Sequence, residues 1–236
     1  PELEGFGIDP TATRGMWQEA IQHVVGCWTN EEYAFAGKHW QMPKRRVLPK
    51  PFQTPHPPIW GATSSEDGHQ QIGALGLGLC SFAVGVPPEE VKKKIDIYRA
   101  AIAHCEAPLG KWVHDQAATF TMTLCAPTRE EAWEVGRESF EWYPKAGARL
   151  IGSLAGWMAE TKTDLGNYAY AADLEKVDKS GALDLLTLEY LTSSGACALG
   201  TPEECLEVCR RYDAAGVDLL LCLVNPYKIP HEKVMQ

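Results

Sequence analysis

Residues 57–78 read Pro57-Pro58-Ile59-Trp60-Gly61-Ala62-Thr63-Ser64-Ser65-Glu66-Asp67-Gly68-His69-Gln70-Gln71-Ile72-Gly73-Ala74-Leu75-Gly76-Leu77-Gly78. Ile59 and Trp60 suit a buried strand, Gly61 admits a close backbone or ligand, and Ser64 or Ser65 is a natural N-cap with two acids following in the first turn. The stretch is therefore a strand, a Ser-rich turn and a short helix that ends in glycine. Two readings of the turn stand side by side. In one, Ser65 only caps the helix while Glu66 and Asp67 balance its dipole. In the other, the free N–H groups and partial positive charge of the helix start, beside short hydroxyls, hold a ligand phosphate.

Toward the C-terminus the same alternation continues. Residues 79–84 form a second short apolar strand, and Pro87-Pro88-Glu89-Glu90 starts a helix with Val91, Ile95, Tyr98 and Ile102 on one stripe and Lys92, Lys93 and Lys94 outside it. A third strand is predicted over 117–124, followed by a capping box at Thr128-Arg129-Glu130-Glu131 and a helix carrying Ala132, Val135 and Phe140. Residues 143–180 are rich in Gly and aromatics with weak periodicity, the pattern of a long lid-like excursion. A helix near 183–191 follows, then a capped helix from Thr201-Pro202-Glu203-Glu204 closed by Gly216, and a nearly continuous apolar strand over 217–224.

Toward the N-terminus, Asp9-Pro10 predicts an N-cap and first helical position, with Met16, Trp17, Ala20, Ile21, Val24, Val25 and Trp28 at helical spacing and the helix running to about Cys27. Residues 33–42 read as a hairpin turning near Gly37. The proline-dense segment 43–58, with Lys44, Arg45, Arg46 and Lys50, reads as an ordered or semi-rigid loop whose basic cluster either faces water, the favoured reading, or grips a phosphate.

Totals narrow the function. A formal charge of −9 argues against a nucleic-acid or anionic-membrane surface and favours a small-molecule ligand or a protein partner. No apolar run approaches the roughly 20 residues of a membrane span and no signal-peptide pattern opens the chain, so a cytoplasmic protein is expected. The eight cysteines are scattered, mostly in apolar segments, and read as buried reduced thiols with no metal site; Cys205 and Cys209 share a helix face as core residues. Alternating strand and helix through 59–224 define an α/β class with a parallel sheet, but only four core strands are convincing, where a whole eight-stranded barrel takes about 250 residues. Either an open sheet with long insertions or part of a barrel meets that count.

Four matches in order give the chain a resemblance to a known family. Phe6-Gly7-Ile8-Asp9 before a helix ending in Cys27-Trp28-Thr29, then Phe35-Ala36-Gly37-Lys38, resembles the segment after the fourth strand of the bacterial luciferase-like monooxygenases, flavin-dependent (β/α)8 barrels. Pro49-Lys50-Pro51-Phe52-Gln53-Thr54-Pro55-His56-Pro57-Pro58-Ile59-Trp60 is similar to the lead into their fifth strand. Ala62-Thr63-Ser64-Ser65 through Leu75-Gly76-Leu77-Gly78 resembles their phosphate-binding turn, and Leu199-Gly200-Thr201-Pro202-Glu203-Glu204 with Ala215-Gly216-Val217-Asp218 their last helix and strand. The resemblance implies an incomplete TIM-type barrel, about strands 5 to 8, in one partial domain: 1–57 helix, hairpin and proline loop, 58–142 three βα units, 143–195 a lid-like insertion, 196–236 the last helix and strand.

It further implies that Thr63, Ser64, Ser65 and Gly68 hold the phosphate of FMN, Gly68 standing where members often carry Ser or Thr. Trp142 and Tyr143 open the lid, and either flank the flavin ring or pack in the core. The implied chemistry is oxygen-dependent oxidation of a small organic substrate by reduced FMN from a separate flavin reductase, in a homo-oligomer. The groups that hold the flavin ring and the substrate's base come from the family's first strands, so no catalytic residue is assigned. Rivals are a deazaflavin-dependent hydride transfer on the same barrel, a non-catalytic flavin-binding subunit or fragment, and a sugar-phosphate barrel enzyme.

Overall fold

A computed structural model describes residues 2–164 and 166–236. Its elements in chain order are α1 (Glu2–Gly5), α2 (Thr13–Thr29), β1 (Tyr33–Ala36), β2 (Gln41–Arg45), β3 (Trp60–Thr63), α3 (Glu66–Ala74), β4 (Gly78–Ser81), α4 (Pro88–Ile102) and β5 (Ala117–Cys125). Then follow α5 (Arg129–Glu160), α6 (Ala169–Lys179), α7 (Leu188–Ser193), β6 (Ala198–Gly200), α8 (Pro202–Ala214), β7 (Leu219–Leu223) and α9 (His231–Val234), with 3-10 turns at Gly166–Tyr168 and Ala182–Leu185.

The strands after the hairpin are all parallel. β3 pairs with β4 and β4 with the start of β5, while β7 lies against residues 118–122 of β5 and β6 against residues 123–125. β5 is thus the central strand, and its apolar, β-branched run explains why: it is hydrogen-bonded on both sides and buried along most of its length. This is the parallel α/β arrangement that strand–helix alternation predicts, because each parallel crossover places a helix on the outer face. One core gathers Leu79, Val91, Ile95, Tyr98, Ala117 and Tyr212 under α4 and α8; a second gathers Met122, Leu124, Phe140, Leu188 and Leu191 under α5 and α7.

Tyr98 links α4 to the sheet's lower edge. Its buried hydroxyl lies 3.0–3.1 Å from the carbonyl oxygens of Leu77, His114 and Gln116, and burial raises its pKa above the usual phenol range. Tyr98→Phe strips these carbonyls of their common donor and is expected to lower unfolding free energy by about 1–2 kcal/mol, read by urea denaturation. Arg99 closes the same edge, bonding Asp115 and, at 2.5 Å, Asp218 Oδ2, which also accepts from the Ala117 amide at 2.7 Å.

Several expectations change. The N-terminal helix begins at Thr13 rather than Pro10, because Asp9 Oδ1 accepts from the amide and hydroxyl of Thr11 at 2.9 and 2.7 Å and makes a local turn instead of a cap. A fifth parallel strand, β6, is present; three residues running into a capping box carry no period to detect. The predicted excursion at 143 has no break at its start, since α5 runs 32 residues straight through Pro144, and α6 folds back against it. Leu165, inside that excursion, lies outside the described residues. β7 was expected to be buried on both faces, yet Leu219 and Leu221 are about half exposed, because β7 is an outer strand of the sheet. Cys125 and Cys222 are exposed rather than buried, whereas Cys197 and Cys205 are buried.

The hairpin forms as expected, its turn held from α2: the Glu19 carboxylate accepts from the amides of Lys38, His39 and Trp40 at 2.8, 2.8 and 3.3 Å. Among the described residues no helix is long and apolar enough to cross a membrane.

Candidate functional site

The turn between β3 and α3 sits at the C-terminal ends of the parallel strands, the rim where sites on such sheets are built. Thr63 ends β3, its carbonyl accepting from Phe82 N at 2.8 Å, so the neighbouring strand carries the rim one residue further. Ser65 has the extended backbone of an N-cap, and its Oγ accepts from the Gly68 amide at 3.1 Å. The cap reading therefore holds, and it does not exclude the other: an oxygen that accepts from Gly68 keeps its own O–H to donate outward. Ser64 Oγ makes no hydrogen bond among the described residues. Nor do the Glu66 and Asp67 amides, the first two donors of α3, which are the N–H groups a helix start offers to an anion.

Gly68 contributes space. A Cβ there would stand 1.8 Å from Thr63 Oγ1 and 3.0 Å from Ser65 Oγ, so Thr63 already fills the volume a residue-68 side chain would need. Its amide belongs to Ser65, which leaves the anion to the two amides before it. All four residues named from sequence thus meet around one helix start, with Ser65 exposed, Thr63 and Ser64 half-buried and Gly68 buried.

Three residues were not foreseen. Lys94 reaches from α4 to the turn, its Nζ donating to Ser64 O at 2.8 Å. Its two neighbours do pair along their helix, Lys92 with Asp96 and Lys93 with Glu90. His69 is fully buried: Nδ1 lies 2.7 Å from Ser65 O and Nε2 2.9 Å from Ser81 Oγ. A carbonyl can only accept, so Nδ1 carries the proton and Nε2 accepts from the Ser81 hydroxyl. Burial depresses its pKa, and the ring is a neutral bolt from the cap residue to β4. Arg14 faces the turn from α2 across a cavity of about 620 Å³ that Thr63 and Gly68 also line, and bonds Gln71 at 2.9 Å. Nothing in its sequence surroundings marks it.

Glu66 and Asp67, both exposed, oppose an anion here, while Lys94 and the helix dipole favour one. Of the aromatic pair at the start of the predicted lid, Trp142 stacks on Tyr227 with centroids 4.1 Å apart, and Tyr143 packs against the second core.

Parallel strands and outer helices define a barrel-type α/β protein, with open amides and hydroxyls at one rim turn. The chain belongs to the luciferase-like monooxygenase family, which matches residues 1–219. It is 24% identical over 213 residues to the oxygenase component of a flavin-dependent trigonelline monooxygenase from Acinetobacter baylyi, covering 90% of this chain and 54% of that protein. It is 27% identical over 205 residues to an FMNH(2)-dependent dimethylsulfone monooxygenase from Pseudomonas putida, covering 86% and 51%. Among solved structures, the monooxygenase RslO1 from Streptomyces bottropensis matches with a TM-score of 0.65 at 18% identity, over 99% of this chain and 60% of that one. An F420-dependent secondary alcohol dehydrogenase matches with a TM-score of 0.60 at 16% identity, over 95% and 60%. The structural likenesses speak to fold alone. The chain spans about half the length of the curated relatives it matches.

Proposed function

We propose that this chain is the phosphate-binding portion of a flavin-dependent monooxygenase, with the FMN phosphate held at the start of α3. The observation that carries the reading is the donor set at that one turn: the unengaged Ser64 hydroxyl, the Ser65 O–H, the open amides of Glu66 and Asp67, and Lys94 fixed at its base. These groups suit a phosphate. FMN when bound and reduced supplies the chemistry toward dioxygen. This chain's residues bind and orient its phosphate end, and the α5–α6 hairpin is the element placed to close over the rim and exclude water. Supply of reduced flavin by a separate reductase is supported by the relative named as an oxygenase component. A cytoplasmic homo-oligomer remains part of the proposal.

The test compares FMN with riboflavin, which lacks the phosphate. FMN is expected to bind this chain more tightly, and Lys94→Met is expected to narrow the gap by about 5–10-fold, since a partly exposed charge-assisted contact contributes about 1 kcal/mol. Equal binding of the two flavins would remove the proposal. The fold also carries F420 chemistry in the alcohol dehydrogenase, so hydride transfer from a deazaflavin is the second reading. Oxygen consumption with reduced FMN, set against reduction of the deazaflavin, separates them.

A further inference from the structure

A second cavity, of about 370 Å³, lies on the α4 side of the same turn, sharing Ser64 with it and roofed by α5 and α6. Its walls are apolar: Phe82, Val84, Tyr143, Ile151, Leu174 and Val177. Two charged groups stand at its edge: Lys94, bonded to the neutral Ser64 carbonyl, and Asp173, which pairs with Lys176 at 3.2 Å. An apolar body would lose little on entering such walls, and Lys94 leaves room for one polar or anionic group at the edge.

Of the four glycines of α5, two are held by close packing, while Gly147 and Gly156 face open space. A Cβ at Gly136 would stand 2.4 Å from Leu199 Cδ1, and one at Gly152 would stand 3.1 Å from Glu175 N, so close packing explains both. Gly147 lines the cavity, and a Cβ there would meet nothing within 4 Å. Glycine inside a helix costs about 1 kcal/mol against alanine, and here the space left empty belongs to the cavity.

We propose that this cavity receives the substrate, and that the substrate is a mainly apolar molecule about the size of two fused rings, placed beside the flavin-phosphate turn. The size follows from volume, since an apolar cavity of about 150 Å³ accommodates benzene. That the ligand is a substrate rests on the flavin reading above; that the cavity binds such a molecule does not. The lining also carries the hydroxyl-bearing Tyr143 and Tyr170, available to a single polar group on the ligand while Ser64 serves the phosphate.

The probe is 2-naphthol, titrated by its own fluorescence into the chain and into Gly147→Phe and Gly147→Ala. The unsubstituted chain is expected to bind it, the phenylalanine to weaken binding by about tenfold or more, and the alanine to change it by less than about threefold. Unfolding midpoints check that both variants are folded, and alanine is expected to raise the midpoint. Failure of 2-naphthol to bind, or unchanged binding by a folded Gly147→Phe chain, would each overturn the assignment. FMN titrated in parallel keeps the two readings apart: loss of naphthol binding with FMN retained leaves the phosphate site standing, and the reverse leaves only the cavity.

Discussion

Ser65→Asp is expected to weaken FMN binding about 100-fold while leaving the fold intact. Aspartate is as good an N-cap as serine, so its carboxylate can still accept from the Gly68 amide as Ser65 Oγ does at 3.1 Å. What changes is charge. Two unit charges 4 Å apart repel by about 4 kcal/mol at an effective dielectric near 20, and solvent at the exposed residue reduces this to about 2–3 kcal/mol. Riboflavin, with no phosphate, should bind the variant as it binds the original chain. Fluorescence titration of both flavins reads the difference, and undiminished FMN affinity in a folded variant would disprove the phosphate site. Ser65→Ala is the useful companion: it removes the cap, and about 1 kcal/mol of stability, without adding charge.

His69→Ala is expected to lower unfolding free energy by about 3–5 kcal/mol, the largest effect on stability foreseen for a residue of the turn. Part is the cavity left by a fully buried ring, and part is the Ser81 hydroxyl losing its partner, while the Ser65 carbonyl keeps only the residue-69 amide. The same residue gives the chain an acid limit. Burial, aided by Lys94, holds the His69 pKa below its ordinary 6.5, against smaller opposing effects of the Ser65 carbonyl and Glu66. The unfolded chain therefore binds this proton first. The stabilisation by neutral His69 is complete above about pH 6.5 and is lost as pH falls through the folded-state value. Urea unfolding at pH 7.5 and 5.5 measures it, and His69→Gln, which keeps polar contacts but does not titrate, should flatten this part of the pH dependence. An equal acid loss in His69→Gln would assign the effect to other groups.

How legible was this in the sequence? The units built on long apolar or strictly periodic runs were plain: β5 from residues 117–124, α4 from its Val91, Ile95, Tyr98 and Ile102 stripe, and α8 from its capping box. The Ser65 cap was equally plain, because capping chemistry is local. What stayed hidden depended on distant partners. Pro144 advertised a break, yet it lies buried within an unbroken helix, so tertiary packing outweighed its local penalty. Lys94 looked like one of three surface lysines until α4 was laid beside the turn. His69 looked like any helical polar residue until β4 offered Ser81. The exposure of Leu219 and Leu221 depended on their strand's place at the edge of the sheet, which apolar content does not encode.

The 1.8 Å separation between a Cβ at position 68 and Thr63 Oγ1 makes these two positions mutually exclusive owners of one small volume. A hydroxyl can be delivered to the rim from the strand end or from the helix's first turn, but not from both. Gly68→Ser alone should therefore behave as a steric lesion. Paired with Thr63→Gly it should be rescued, so the two substitutions would be strongly non-additive and an ancestor passing from one arrangement to the other would have to vacate the strand position first.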